Sequence, residues 1–423
     1  MSHFLSVPPV SSISGSLRVP PSKSATNRAL VLAALTERPV EILQPLSSGD
    51  TAALQRCLTA MGASIEPIAR GLRVSGPLGG DSRRTIPLDA GDSGTAARFL
   101  TAVCAAISGR FLLSGSKRLR ERPIAPLVEA LTAAGARIAY AEQDGRLPLR
   151  IDGGLRSELL RVDASESSQY FSAILLAAVA VEGGLSVRVT GAVVSRPYVA
   201  MTLDALRAFG HDIVETDSVR VRRGASPSGR YEVPGDYSSA VPLLAAVGVA
   251  GGSLELTGLA RPSRDADAAA LPVLERMGIR IDDSASALVG AAPGNPLRPV
   301  SVEATEFPDS VPALAALAAL APGESRFLGI GHLRLKESDR IDALAEILTA
   351  AGARATPGPE SLTVVGPARV RGLVRLATHR DHRMAMAAAL LSLRLPGLLI
   401  ENPACVSKSY PDFFRDLDSV SLR

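Results

Sequence analysis

Apolar stretches rich in Ala, Leu and Val recur along the chain, and hydroxyl or charged residues open each of them. The openings are Ser22-Lys23-Ser24, Gly94-Thr95, Ser167-Ser168-Gln169, Ser238-Ser239, Asp309-Ser310 and Asp381-His382-Arg383. Measured from Ser24, Thr95, Ser168, Ser239, Ser310 and His382, the steps are 71, 73, 71, 71 and 72 residues. Apolar runs of this kind predict helices, and the fixed period predicts one supersecondary unit repeated six times. A second signal keeps the same beat: an apolar helix ends in glycine and runs into a short strand at Gly62, Gly135, Gly210, Gly278 and Gly352. Each unit reads strand, helix, strand, helix, then a closing pair of strands. In the second unit these are a strand at 85–89, a helix at 95–106, a strand at 110–113, a helix after Pro123, and strands at 137–140 and 147–151.

The sixth unit runs out of chain after Phe413 without closing strands, and a strand around residues 4–7 can fill that gap. The expected class is α/β (α+β), with two domains of three βαβαββ units each. Pro/Gly breaks at Pro20-Pro21 and Pro234-Gly235 mark the crossings. One domain is then residues 21–235, and the other is residues 1–20 plus 236–423.

Composition narrows the functional classes. The 423 residues are 46% hydrophobic with 4% aromatics and no Trp. So few aromatics argue against a stacking surface for single-stranded nucleic acid. Lys+Arg of 46 against Asp+Glu of 42 gives a net charge of +4, too mild to define a polyanion partner. Cys57, Cys104 and Cys405 lie far apart and form neither a disulfide framework nor a zinc spacing, which fits a reducing cytoplasm. The opening MSHFLSVPPV lacks a basic region followed by an apolar core, so no signal peptide is expected. The run VPALAALAALAP is too short to span a bilayer.

Helix starts carry free N–H groups and partial positive charge, so they are ready anion sites. Lys23 and Arg28 join Ser24 at the first start, where Lys suits phosphate as a point charge and Arg suits carboxylate as a planar fork. A Gly-rich turn leads through Gly94 to Arg98, and Arg122 precedes Pro123. Ser167, Ser168 and Gln169 offer a compact phosphate site, and Ser195-Arg196-Pro197-Tyr198 adds a hydroxyl, a guanidinium and a phenol. Asp309 heads a helix with no further charge for several turns; a helix cap is the plainer reading, and a general base in reach of a hydroxyl is the functional one. Lys336, Glu337, Asp339 and Arg340 cluster, as do Arg380, Asp381, His382 and Arg383, and Lys408 precedes the last helix. His379 and His382 have a metal-like spacing, but the flanking arginines oppose a cation. Taken alone, each string also fits a capped helix with solvated charges. Together, basic residues at equivalent points of different repeats predict a cleft that holds two anions, with carboxylates beside them.

At these residues the chain resembles the 5-enolpyruvylshikimate-3-phosphate synthases, a family of enolpyruvyl transferases. The strings SKSATNRAL, GTAAR, RPI, SSQ, SRPY, PDS, LKESDR, DHRMAM and SKSYPDFF occur in the family's order and cover essentially the whole chain. The resemblance implies two domains of three βαβαββ units with the active site in the cleft between them. It implies transfer of the enolpyruvyl group of phosphoenolpyruvate to the 5-hydroxyl of shikimate 3-phosphate with release of phosphate, a step of aromatic amino acid biosynthesis. It implies no metal and no organic cofactor, two small-molecule substrates, no nucleic acid or membrane partner, and a cytoplasmic monomer that glyphosate inhibits in competition with phosphoenolpyruvate.

Carried over by residue, Lys23, Ser24, Arg28, Ser167, Ser168, Gln169, Ser195, Tyr198, Asp309, His332 and Lys336 bind shikimate 3-phosphate. Lys23, Gly94, Arg122, Gln169, Arg340, Arg383 and Lys408 bind phosphoenolpyruvate. Asp309 takes the 5-hydroxyl proton, and Glu337 with Lys23 serves proton gain and loss at C3. Three positions depart from the family pattern: Asp92 in place of Asn, Phe99 in place of Pro, and His332 in place of Asn. The first two are expected to flank the phosphoenolpyruvate loop. Two alternatives remain: a UDP-N-acetylglucosamine enolpyruvyl transferase, which looks to a loop Cys that this chain lacks near Arg120, and a non-catalytic repeat protein that binds polyanions or RNA ends.

Overall fold

Each recurring apolar stretch forms a helix buried on nearly every side. The computed structural model describes residues 4–80, 83–224, 229–260, 263, 265–283, 288–292 and 296–423. The six helices are Lys23–Ala34, Gly94–Ala106, Ser168–Ala177, Tyr237–Ala250, Val311–Leu320 and His382–Ser392. Buried on most faces, with their polar residues confined mainly to the first turns, they belong inside a core rather than on a surface. Side chains of Ser22, Ser93, Ser167, Asp236 and Asp381 accept backbone N–H groups at five of the starts. The helix Val311–Leu320 departs from this pattern: Ser310 precedes it and makes no side-chain cap. Gly62, Gly135, Gly210, Gly278 and Gly352 all have φ between 78° and 111°, the left-handed turn that lets the chain leave a helix for a strand.

The second repeat shows the sheet order. Thr85–Asp89 runs parallel to Arg110–Ser114, Leu149–Ile151 pairs antiparallel with Arg110–Ser114, and Ile138–Tyr140 lies outside. A short helix, Lys117–Arg120, which the sequence pattern does not suggest, follows the second strand. The third and fifth repeats keep this order. In the sixth, Phe4–Leu5 pairs antiparallel with Leu398–Glu401 and fills the vacant place, as the count of units requires.

Repeats one and four exchange their first strands. The strand that runs parallel to Val40–Leu43 is Arg230–Glu232, and the strand parallel to Gly252–Thr257 is Ser12–Arg18. Ser421–Leu422 adds an edge strand beside Ser12–Arg18, beyond the point where the repeat pattern ends.

The chain divides into two compact units, Pro21–Pro234 and Met1–Pro20 with Gly235–Arg423. Gly235 groups with the second of these, one residue earlier than the sequence boundary. Its N–H donates to Gly258 O at 2.9 Å, and a Cβ there would meet that oxygen at 2.7 Å. Each unit has its own hydrophobic core, built from its three buried helices and the inner faces of its sheets. Among the described residues, no helix is long and apolar enough to cross a membrane.

Candidate active site

In the unit Pro21–Pro234, the predicted site residues gather at helix starts. Lys23 begins its helix and pairs with Asp50 at 3.3 Å, at the start of Gly49–Ala60. Arg28, one turn on, is 2% exposed. Its Nε donates to Thr202 Oγ1 (2.7 Å), Nη1 to Ser24 O (2.9 Å) and Nη2 to Tyr198 O (2.8 Å). Thr202 in turn donates to Ser172 Oγ at 3.0 Å, so three helices are tied through one guanidinium. Ser195 is buried in a left-handed conformation, φ 53° and ψ 48°, which is costly for a residue with a Cβ and marks a position held by its surroundings. Ser167 caps its helix through Gln169 N–H, Ser168 is buried, and Gln169 Nε2 donates to Thr95 Oγ1 at 3.2 Å.

Gly94 lies against two guanidinium groups. A Cβ added there would stand 2.5 Å from Arg122 Nη1 and 2.8 Å from Arg98 Nη1. Arg98 donates to Gly94 O (3.2 Å) and Pro123 O (2.8 Å), which fixes the turn around Arg122. Asp92 is exposed and accepts the Ser116 hydroxyl, tying the Gly-rich turn to the short helix. Phe99 does not flank that loop as the sequence suggests. It is fully buried, with Arg28 Cζ 5.4 Å from its ring centroid, because its helical position faces the core.

In the other unit, Arg340 organises the predicted residues. It is 1% exposed and binds three carboxylates: Asp309 Oδ1 at 2.7 Å, Glu337 Oε2 at 3.0 Å, and Asp381 through Nε (2.8 Å) and Nη2 (3.3 Å). Glu337 also pairs with Lys408 Nζ at 3.1 Å. Arg383 donates to Ser238 O and Oγ and reaches Asp309 Oδ2 at 3.4 Å. Asp309 is therefore neither a helix cap nor a solitary carboxylate. Burial opposes its ionisation, but Arg340, Arg383 and Lys336 outweigh burial and hold the carboxyl well below the usual range. His332 is buried, and burial with the charges of Lys336 and Arg340 pushes its pKa down to about 3. Its ring bonds the backbone at Gly329, and Nε2 has no hydrogen-bond partner among the described residues. His379 and His382 do not act together: His379 is exposed and meets Glu346 at 2.8 Å, while His382 is buried beside Asp381.

The two clusters, one in each unit, are less starkly basic than the cation count suggests. Lys23, Arg340, Arg383 and Lys408 are each matched by an acidic neighbour. These cations therefore stand in ion pairs rather than around an empty positive hole.

Sequence reasoning missed Asp50, which pairs with Lys23, Ser238, which accepts from Arg383 and donates to Asp236 Oδ1 at 2.6 Å, Ser338, which donates to Asp381 Oδ2 at 3.1 Å, and Asp267, which accepts from Ser310 at 2.6 Å. Asp381 was legible only as a neighbour of His382. A usable signal was present in the lysines. Of the 46 basic residues only Lys23, Lys117, Lys336 and Lys408 are lysine, and three of these fall in the candidate site. In a chain that uses Arg almost everywhere, a compact ammonium stands out.

An enolpyruvyl transferase from Streptomyces tendae superposes with a TM-score of 0.77 over 99% of this chain and 97% of its own, at 22% identity, a likeness of fold alone. The chain belongs to the EPSP synthase (3-phosphoshikimate 1-carboxyvinyltransferase) family, whose model matches residues 7–417. It is 39% identical to the 3-phosphoshikimate 1-carboxyvinyltransferase of Syntrophobacter fumaroxidans over 98% of this chain and 99% of that one. An EPSP synthase structure from Acinetobacter baumannii superposes with a TM-score of 0.79, at 26% identity, covering 99% of this chain and 98% of that one. These matches favour neither the UDP-N-acetylglucosamine transferase nor the polyanion-binding alternative.

Proposed function

We propose that the chain joins the 5-hydroxyl oxygen of shikimate 3-phosphate to C2 of phosphoenolpyruvate and expels phosphate by addition and elimination. The observation that carries this reading is the buried guanidinium of Arg340, which binds both carboxylates assigned to proton transfer, Asp309 and Glu337. Asp309 removes the 5-hydroxyl proton as the oxygen adds to C2, while C3 gains a proton from Glu337 with Lys23. In the second stage the C2–O bond to phosphate breaks and the same pair takes a proton back from C3, restoring the double bond. Holding two anions side by side supplies effective molarity that water cannot. Cationic character at C2 is stabilised by the neighbouring carboxylates.

The unit Pro21–Pro234 holds mainly shikimate 3-phosphate through Lys23, Ser24, Arg28, Ser167, Ser168, Gln169, Ser195 and Tyr198, with Gly94 and Arg122 toward phosphoenolpyruvate. The other unit supplies Asp309, His332 and Lys336 for the ring hydroxyls, and Arg340, Arg383 and Lys408 for the donor. A carboxylate clamped by two arginines is a weak base. Donor anions that draw Arg340 and Arg383 toward themselves loosen the clamp, so Asp309 becomes basic when both substrates are present. The same reading takes the protein as a cytoplasmic monomer that acts on small molecules and not on nucleic acid, with glyphosate as a competitor of phosphoenolpyruvate. The low aromatic content argues against a nucleic-acid partner, and the widely spaced Cys57, Cys104 and Cys405 fit a reducing compartment.

A phosphate-release assay with the two substrates tests the reaction. The parent enzyme releases phosphate only when both are present, and Asp309→Ala binds shikimate 3-phosphate in calorimetry but does not turn over. Near-parental kcat in that variant removes Asp309 from the base role.

A further inference from the structure

Asp267 is a buried acid that the reaction above does not use. It lies in the 3-10 helix Ala266–Ala270 and is 1% exposed. Its Oδ1 accepts the hydroxyl of Ser310 at 2.6 Å. Ser310 follows Asp309 directly and precedes the helix Val311–Leu320. At that position a serine ordinarily turns its hydroxyl onto its own helix. Here φ is −85° and ψ −21°, no side-chain cap forms, and the Ser310 N–H closes a turn onto Phe307 O at 3.2 Å. The main chain that bears Asp309 is thus pinned on one side by that turn and on the other by the bond to Asp267.

The residue type points the same way. Among the charges bearing on Asp267, Asp309 and Asp236 repel its ionised form and Arg383 attracts it. Burial first, then Asp309, raises its pKa to about 6. An amide would accept the same hydroxyl without this repulsion, so the acid is a destabilising choice for folding alone. Such departures from local consistency are expected where function is served. As a carboxylate, Asp267 obliges Ser310 to donate. Its negative charge also opposes the arginines at Asp309 and raises the proton affinity of that carboxylate.

We propose that Asp267 is a positioning residue for the transfer reaction: through a buried charge-assisted hydrogen bond to Ser310 it fixes the main chain that aims Asp309 at the acceptor hydroxyl. The inference rests on Asp309 as the base. It assigns Asp267 no contact with either substrate.

The test compares Asp267→Ala, Asp267→Asn, Ser310→Ala and the double variant Asp267→Ala/Ser310→Ala by steady-state phosphate release, with a thermal melt of each. Asp267→Ala and Ser310→Ala each lower kcat by about tenfold or more while both KM values stay within about threefold, the signature of a lost transition-state alignment. The double variant falls no further than either single, because the pair acts as one unit. Asp267→Asn, which keeps an acceptor for Ser310 but not the charge, recovers part of the lost kcat. Ser310→Ala leaves the buried acid in place and carries the test if Asp267→Ala does not fold. Single variants with parental kcat, losses that multiply in the double, or an Asn no better than Ala each overturn the proposal. A parent enzyme that releases no phosphate from the two substrates refutes the reading of function instead.

Discussion

One methyl group at Gly94 separates donor binding from folding. Ordinary contact begins near 3.4 Å, and an alanine Cβ would stand 2.5 Å from Arg122 Nη1 and 2.8 Å from both Arg122 Cζ and Arg98 Nη1. The Arg122 tip must therefore retreat by about 0.9 Å, the difference between 3.4 and 2.5. The atoms in the way are the ends of flexible side chains, and Gly94 opens a helix where alanine is at least as good. Stability should change by less than about 1 kcal/mol. Binding should suffer more, because a guanidinium fork moved that far cannot keep both bonds to a donor anion. One lost hydrogen bond to a charged group costs about 1.5–3 kcal/mol, and each 1.4 kcal/mol is about tenfold in affinity. Gly94→Ala is expected to raise KM for phosphoenolpyruvate by about tenfold or more, with KM for shikimate 3-phosphate and the melting temperature nearly unchanged. Glyphosate inhibition should weaken at least as much. Phosphate release at varied donor and saturating acceptor measures the first effect, and a thermal melt the second. A KM for the donor within about twofold of the parent would refute the placement of Arg122 at the donor.

Arg340→Met leaves three carboxylates without their common cation, so it should destabilise the fold by about 3–5 kcal/mol, seen as a shifted denaturant midpoint; an unshifted midpoint contradicts the network. His332 stays neutral in the folded protein down to about pH 3 but takes up a proton below its ordinary value of 6.5 when unfolded. The unfolded state therefore binds more protons in that window, and stability falls as pH drops from 6.5 toward 3. His332→Asn should raise the melting temperature relative to the parent at pH 5 and not at pH 8, and an equal difference at both values refutes this. Asp267 works with the opposite sign. Its folded pKa is raised from 3.8 to about 6, so its share of stability is full below 3.8 and declines as pH rises to 6, and Asp267→Asn should remove that slope from melts between pH 4 and 7.

Much of the architecture was legible because it follows from periodic, local chemistry. The Ala-rich helices, the glycine stops and the vacant closing strand of the sixth repeat are all written in nearby residues. The exchange of Ser12–Arg18 and Arg230–Glu232 was not, since a strand carries no mark of which distant partner it joins. At the site, the string LKESDR looked like a solvated face, yet Arg340 is among the most buried side chains in the protein. Its charge is tolerated only because Asp309, Glu337 and Asp381 arrive from other segments, which no local pattern announces. Asp267 was overlooked for the same reason, in a stretch of small residues whose partner lies 43 positions away.

The exchanged strands make one unit an insertion within the other. Pro20 O and Asp236 N are 2.9 Å apart, and Ser22 N and Pro234 O are 2.7 Å apart. Each unit thus brings its own two open ends together as neighbours in a bridge. Residues 21–234 form an uninterrupted polypeptide with a complete set of strands, and residue 20 can be joined to residue 235 almost without a linker. The gene can be cut into two independent modules at these points without severing a sheet. Expressed apart, they would meet only at the concentration of free chains, whereas the natural tether supplies a far higher local one. The catalytic penalty for cutting the tether, and its rescue by added partner module, would measure how much of the enzyme's activity is owed to connection alone.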